Sequence, residues 1–266
     1  EEGIWTGPGV GLAVARLSIV DLSGGSQPIA NETGDVVVAF NGEIYNHKAL
    51  RAGLEKKGHR FKTRSDTEVL VHLYEERGDA FVEDLDGMYA FGLWDARKRR
   101  LLLARDPFGV KPLYYAEAGG GLWFASEIQA LAGVKGIDRS IDSEALQAYF
   151  LLGQIPHPWT IHRGIRKLPP GSCLTHENGK IRIERFWAPR LGVGSDEKKE
   201  VLIERAGAAL EGAVRAQMAA DVPVGVLLSG GIDSSLVAAA AIGAKPDLET
   251  FSVGFEGAPS HDETRH

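Results

Sequence analysis

Two hydrophobic grammars share this chain of 266 residues, and the change from one to the other near residue 190 constrains the fold more than any single motif. Up to that point short β-rich runs dominate: Val10 to Ile19, Asp35 to Phe40, Met88 to Asp95, Leu101 to Arg105, Leu113 to Ala116 and Leu122 to Ala125. Turn signals separate them, notably Gly119-Gly120-Gly121 and the basic tip Arg97 to Arg100. Two helices are expected between the early strands, one opened by Asn46 and one by Asp66, with Gly58 and Gly78 placed to end them. Short strands with tight connections pair antiparallel, so residues 1–190 read as an α+β domain.

Beyond the boundary the pattern is different. Leu191 to Ser195 is Gly-rich and linker-like, and Ser195 is placed as N-cap of a helix over Asp196 to Ala220, where Leu210, Val214 and Met218 recur every four residues. Val222 to Leu228 is a continuous apolar run expected to form a buried strand. Asp233 to Ile242 is expected to be helical, and Glu249 to Val253 a second strand. Strand, helix, strand is the opening of a parallel α/β sheet, here over residues 191–266.

Charge follows the same division: residues 1–190 carry 24 basic and 24 acidic side chains, and residues 191–266 carry 6 and 12. A formal net charge of −6 without a basic stripe argues against a nucleic-acid partner. The longest nearly pure apolar run, Leu236 to Ala244, is shorter than the roughly 20 residues of a membrane span, so no membrane partner is expected. Cys173 is the only cysteine, which excludes an intrachain disulfide and suits a reducing, cytoplasmic setting. His157, His162 and His176 lack a regular ligand spacing. The chain starts at Glu1 and stops at His266 within a polar stretch, which reads as a piece of a longer protein; His261-Asp262-Glu263 is placed at the start of a further helix.

The sharpest chemical signal is Val226-Leu227-Leu228-Ser229-Gly230-Gly231-Ile232-Asp233-Ser234-Ser235. Glycines let backbone approach an anion, Ser229, Ser234 and Ser235 offer hydroxyl donors, and a helix start presents free N–H groups with the positive end of its dipole. Such a loop can hold a phosphate. It lacks the lysine of a Walker loop. Leu22-Ser23-Gly24-Gly25-Ser26 repeats the Ser-Gly-Gly core but runs into Gln27-Pro28, and is read as a surface turn.

A second constellation lies in the first domain: Arg16-Leu17-Ser18-Ile19-Val20-Asp21, Asn41-Gly42-Glu43-Ile44-Tyr45-Asn46 and Ser65-Asp66. A free glutamine needs a guanidinium for its carboxylate, carboxylates for its ammonium, and donors where oxyanion charge develops on its amide carbonyl. Arg16, then Glu43 with Asp66, then Asn41 with the Gly42 N–H could supply these in turn. Taken singly, Asn41-Gly42 is a turn signal and Asp66 an N-cap.

With Gly87-Met-Tyr-Ala-Phe, Arg105-Asp-Pro-Phe-Gly-Val-Lys-Pro-Leu-Tyr-Tyr and Phe124-Ala-Ser-Glu, these segments resemble the class II glutamine amidotransferase domain. The Ser229 loop resembles the pyrophosphatase loop of the ATP pyrophosphatase superfamily, and the two in succession resemble the glutamine-hydrolysing asparagine synthetase family. That resemblance implies an N-terminal-nucleophile amidohydrolase fold, a two-layer antiparallel β sandwich flanked by helices, followed by the start of an α/β ATP pyrophosphatase domain. It implies glutamine contacts at Arg16, Leu17, Ser18, Ile19, Val20, Asn41, Gly42, Glu43 and Asp66, with Asn41 and Gly42 as the oxyanion hole. Leu228, Ser229, Gly230, Gly231, Asp233, Ser234 and Val253 would contact ATP or its pyrophosphate, with Asp233 near Mg2+. Substrates would be glutamine, aspartate and ATP, with β-aspartyl-AMP as intermediate and ammonia passed between domains of a homodimeric enzyme. The residues leave two other readings open: a related ATP-dependent or β-lactam-type synthetase acting on another carboxylate, and a degenerate module that only senses glutamine.

In that family the nucleophile is a cysteine at the mature N-terminus, activated by its own α-amine. Cys173 is read as a small apolar strand residue and Phe108-Gly109-Val110-Lys111-Pro112 as a structural turn. The chain as written is therefore expected neither to hydrolyse glutamine nor to make asparagine. Ammonia release from glutamine clearly above a heat-treated control contradicts that expectation.

Overall fold

A computed structural model describes residues 1–17, 19–22, 24–192, 194 and 196–254; expectations placed on Ser18, Ser23, Ser195 and His261-Asp262-Glu263 lie outside these. The chain divides into two compact units, residues 1–190 and 191–266. In the first, β1 (Glu2–Gly7), β2 (Val10–Ala15), β3 (Ile29–Ala30) and β4 (Val36–Ile44) precede α1 (His47–Lys56) and α2 (Glu68–Arg77). A 3-10 turn at Gly78–Asp84 leads to β5 (Gly87–Asp95), β6 (Arg100–Arg105), β7 (Tyr114–Ala118) and β8 (Gly121–Ala125). Then come α3 (Ile128–Ala132), α4 (Ser143–Leu152), β9 (Arg166–Lys167), β10 (Ser172–Glu177) and β11 (Lys180–Arg185). The second unit holds α5 (Lys199–Gln217), β12 (Gly225–Leu227), α6 (Ile232–Ala244) and β13 (Glu249–Phe251).

Strands β11-β10-β6-β5-β4-β3 form one antiparallel sheet of six, and β8-β7-β9 a second of three. The alternation of side chains across a strand sorts the first sheet into two faces. Val36, Val38 and Phe40 of β4, Tyr89, Phe91 and Leu93 of β5, and Leu102 and Ala104 of β6 pack with Val69, Leu70, Val71, Leu73 and Tyr74 of α2 and with Leu54 of α1. Val37 and Ala39, Ala90 and Trp94, and Leu101 and Leu103 point the other way, onto Trp5, Val10, Leu12 and Val14 of the β1–β2 hairpin and Tyr115, Leu122 and Phe124 of the small sheet. That small sheet buries its far face, Tyr114, Ala116, Ala118 and Ala125, against Ile128, Leu131 and Ala132 of α3. Helix, sheet, sheet, helix is therefore the layer order, and strands covered on both sides explain the near-continuous apolar runs of β4 to β6.

Several expectations change in detail. Strand β2 stops at Ala15, four residues short of Ile19. Asn46 stands at the N-cap of α1, but its side chain donates to Asp84 O at 2.8 Å and accepts from Asp86 N at 3.1 Å rather than capping the helix. Thr67, not Asp66, occupies the N-cap of α2, because Ile44 N–H has claimed the Asp66 carboxylate. Cys173 is buried in the helix-facing core as a small apolar residue, and burial pushes its thiol up to about 12.

In the second unit, β12 and β13 pair in parallel with α6 between them. The strand expected over Val222 to Leu228 is only three residues long and is not buried; Leu227 is 76% exposed. Among the described residues this strand pairs only with β13, with α6 packed beside it. Val214 of α5 is buried together with Ala238 and Ala241 of α6, so helix packing provides most of this unit's apolar burial. Among the described residues no helix is long and apolar enough to cross a membrane.

Truncating Phe91, 1% exposed between two layers, is expected to cost about 3–5 kcal/mol, whereas Leu227→Ala at the open strand end stays within about 0.5 kcal/mol. Urea unfolding followed by fluorescence checks both; equal losses at the two positions contradict this packing.

Candidate functional site

Residues 41–43 lie inside β4 rather than at a turn: Asn41, Gly42 and Glu43 face Ala90, Tyr89 and Met88 of β5. Gly42 has φ +152°, and a Cβ there would lie 2.1 Å from Met88 O and 2.7 Å from Tyr89 Cα. Only glycine lets the two strands approach this closely. Asn41 is exposed, and its amide donates to Ser126 Oγ at 3.2 Å, bringing in a residue of the Phe124-Ala-Ser-Glu segment.

Asp66 sits just before α2 and is buried; its Oδ2 accepts from Ile44 N at 2.8 Å and its Oδ1 from Ser65 Oγ at 3.4 Å. Burial lifts its carboxyl above the usual range, against the pull of the Ile44 N–H and His47. His47 is held by its Nδ1, 2.8 Å from Ile44 O. Glu43 is partly buried, and its carboxyl is also raised, first by burial and then by the neighbouring Asp66 charge, with Lys111 pulling the other way. Two carboxyls held above their usual range side by side form an electronegative corner suited to an ammonium.

Arg16 follows β2. Its Nη2 donates to Val20 O at 2.5 Å and lies 3.5 Å from Asp21 O, and its Nη1 is 3.5 Å from the Glu1 carboxylate. Gly25 backs the guanidinium: a Cβ there would lie 2.7 Å from Arg16 Nη2 and 3.1 Å from Ser65 Cβ. Gly25 thus lets Arg16 lie beside Ser65, whose chain neighbour is Asp66. The Leu22 to Ser26 segment, read from sequence as a surface turn, contributes this contact. Leu17 is 88% exposed and offers the site no side-chain packing, and Ile19 is half-buried.

The Phe108 to Pro112 segment is a turn, as expected, and Arg105 and Asp106, at and just after the end of β6, hold it in place. The Asp106 carboxylate accepts from the N–H groups of Phe108, Val110 and Lys111 at 3.0 Å and of Tyr89 at 3.2 Å. Arg105 donates to the carbonyls of Lys111, Leu168 and Gly109, each at 2.8 Å. Together they fix the loop that carries Lys111 toward Glu43. Lys111, Ser126, Ser65 and Gly25 are not singled out as site residues by sequence; all four lie within quoted segments, and only the fold brings them to Arg16, Asn41 and Glu43.

In the second unit Leu228 and Val253 lie just beyond the ends of β12 and β13, and Leu228 N–H still donates to Phe251 O at 2.8 Å. Gly230 takes φ +84°, and Gly231 is the N-cap of α6. Ser229 N–H meets Ser234 Oγ at 3.3 Å, the two hydroxyls are 3.1 Å apart, and Ser234 and Ser235 donate to Gly231 O at 3.1 and 2.8 Å. The first intrahelical bond is made by Ser235 N–H to Gly231 O at 3.1 Å, so the N–H groups of Ile232, Asp233 and Ser234 precede it. Asp233 is an exposed carboxylate in that first turn.

Comparison with known proteins identifies the setting. Residues 205–266 match the asparagine synthase family. The chain is 41% identical over 257 residues to the glutamine-hydrolysing asparagine synthetase 1 of Bacillus subtilis (strain 168), covering 96% of this chain and 40% of that protein. It is 36% identical over 264 residues to asparagine synthetase 3 of the same organism, covering 96% and 43%, and 40% identical over 263 residues to asparagine synthetase 3 of Arabidopsis thaliana, covering 93% and 39%. The chain thus spans about two fifths of the length of the curated relatives it matches. Residues 1–187 match the glutamine amidotransferase domain family, and the chain belongs to that family.

Proposed function

We propose that this chain supplies the glutamine pocket and the ATP phosphate loop of an enzyme that makes asparagine from aspartate, ATP and glutamine. The observation that carries the reading is the grouping of one guanidinium, Arg16, with two carboxylates, Glu43 and Asp66, through the Gly25 and Ser65 contacts. One cation beside two anions complements the carboxylate and ammonium of a free amino acid. The Glu1 carboxylate beside Arg16 Nη1 supports a carboxylate partner on that edge of the guanidinium. Asn41 Nδ2 and the Gly42 N–H then serve as donors for the amide carbonyl as it gains oxyanion charge, with Ser126 holding the Asn41 amide in place.

In the second unit the hydroxyls of Ser229 and Ser234, the turn at Gly230-Gly231 and the start of α6 receive the pyrophosphate of ATP, with Leu228 and Val253 bordering the adenosine. Ser234 and Ser235 rotate off Gly231 O to donate to phosphate. Asp233 fits Mg2+ as a single carboxylate that shares the ion with phosphate oxygens, the arrangement Mg2+ commonly takes. Activation converts the aspartate carboxylate into β-aspartyl-AMP, whose phosphate is a good leaving group for attack by ammonia. Passage of ammonia within the protein keeps it unprotonated. The ATP pyrophosphatase assignment of residues 191–266, the domain limits at residue 190, a cytoplasmic location and a homodimer belong to the same reading. The relatives' names favour aspartate over another acceptor carboxylate.

Glutamine binding followed by calorimetry tests the pocket. Arg16→Ala is expected to weaken it by about 10-fold or more, the loss of one charged hydrogen-bond partner. Recognition of the ammonium needs ionised Glu43 and Asp66, whose carboxyls sit above their ordinary 4.5 and 3.8. Affinity therefore falls as pH drops from 7 toward 4.5, at higher pH than two exposed carboxylates would dictate. A dissociation constant unchanged over that range contradicts the pocket.

A further inference from the structure

Away from both loops, four side chains from three segments converge on one point. Glu32 follows β3, His59 follows α1, and His72 and Glu75 stand one turn apart on α2. The Nδ1 atoms of His59 and His72 are 3.2 Å apart. Glu32 Oε2 and Glu75 Oε2 each lie 3.4 Å from His72 Nδ1, and Glu75 Oε2 lies 3.7 Å from His59 Nδ1. All four atoms fall within 4.8 Å of one another. A tetrahedron with metal–ligand bonds of about 2.0–2.2 Å has edges of about 3.3–3.6 Å, so most of these separations are already near those of a coordination shell.

Three of the four donors are aimed inward by what their other atom does. Glu32 Oε1 accepts from Arg60 N–H at 2.9 Å and Glu75 Oε1 from Asn31 Nδ2 at 2.7 Å, leaving one oxygen of each carboxylate for the cluster. His59 Nε2 faces Glu76 Oε1 at 3.2 Å, a pairing that favours the proton on Nε2 and a lone pair on Nδ1. His72 is fully buried; its Nε2 has no hydrogen bond, with Glu68 Oε1 at 3.8 Å, so its ring is oriented by what meets Nδ1. Two imidazole nitrogens and two anionic oxygens turned on one point call for a positive charge between them, which a metal ion or a proton on His72 Nδ1 can supply.

We propose that Glu32, His59, His72 and Glu75 form a four-ligand site for a divalent transition metal of the zinc class. Two neutral imidazoles and two carboxylates balance a dication, and imidazole selects this class over Mg2+ or Ca2+. Four protein ligands leave no open position, which makes the site structural: it clips the loops after β3 and α1 onto α2. The start of that helix adjoins Asp66, so the clip also steadies one wall of the proposed glutamine pocket.

The test is zinc titration of the metal-stripped chain, with elemental analysis after dialysis and cobalt as a spectroscopic probe. One zinc per chain is expected to be retained, with a midpoint of thermal unfolding raised by several degrees at saturating zinc. Cobalt should give the intense visible bands of a tetrahedral site. Glu76→Gln, which removes the carboxylate behind His59 but no ligand, should weaken zinc binding about 10–100-fold. Glu32→Gln, at a side chain 34% exposed and so tolerant of change, should abolish stoichiometric retention. Zinc retention by the unaltered chain no better than by Glu32→Gln, or a pale octahedral cobalt spectrum, overturns the proposal and leaves a protonated histidine pair as the occupant of the cluster.

Discussion

The antiparallel register of β4 against β5 is the constraint on which the rest of the first unit depends. It is buried on both faces, so a slip of one residue would turn Val36, Val38 and Phe40 out of the helix-facing core and move Val37 and Ala39 in. Gly42 pins the register locally, since no other residue fits 2.1 Å from Met88 O. Once fixed, the register presents Asn41 and Glu43 at the open end of β4, and the loop to α2 delivers Asp66 to Ile44 N–H. Core packing and the proposed pocket are thus consequences of one pairing.

Around that ladder, buried carboxylates organise backbone. Asp106 gathers four N–H groups, and Glu68 accepts from Lys62 and Thr63. Such contacts satisfy loop donors that lie too far from water to be left unpaired. They place Lys111 near Glu43, and they fix the approach to α2 along which Ser65 and Asp66 lie. The glycines at 25 and 42 act differently, by giving room to a neighbour rather than by making a bond.

Much of this was legible in the residues, and the exceptions have physical causes. Strands β4 to β6 announced themselves because burial on both faces makes them continuously apolar. The β1 strand, with its exposed Ile4 and half-buried Trp5 between glycines, did not. The β10–β11 hairpin carries a strong turn signal in Asn178-Gly179, both at positive φ, but β11 is largely exposed and charged, which masks its alternation, and of the two strands only Cys173 reads as a strand residue. Helix α4 had its caps in plain view, with Asp142 accepting from Glu144 and Ala145 N–H and Gly153 left-handed, yet its exposed Tyr149 to Leu152 blurs any periodicity. The strand over Val222 to Leu228 reads as buried from composition alone, because composition does not reveal how many strands stand beside it. The Glu32, His59, His72 and Glu75 cluster was invisible for a related reason: only His72 and Glu75 are neighbours along a helix, and folding supplies the other two.

The claim that Arg16 and Asp66 read opposite ends of one ligand is tested most directly by cycles that change protein and ligand together. Calorimetry would compare glutamine with an analogue lacking the α-ammonium and one lacking the α-carboxylate, on the unaltered chain, Arg16→Ala and Asp66→Asn. The account predicts that loss of the ammonium costs far less affinity in Asp66→Asn than in the unaltered chain, and that loss of the carboxylate costs far less in Arg16→Ala. Losses that simply add across every pairing would contradict it.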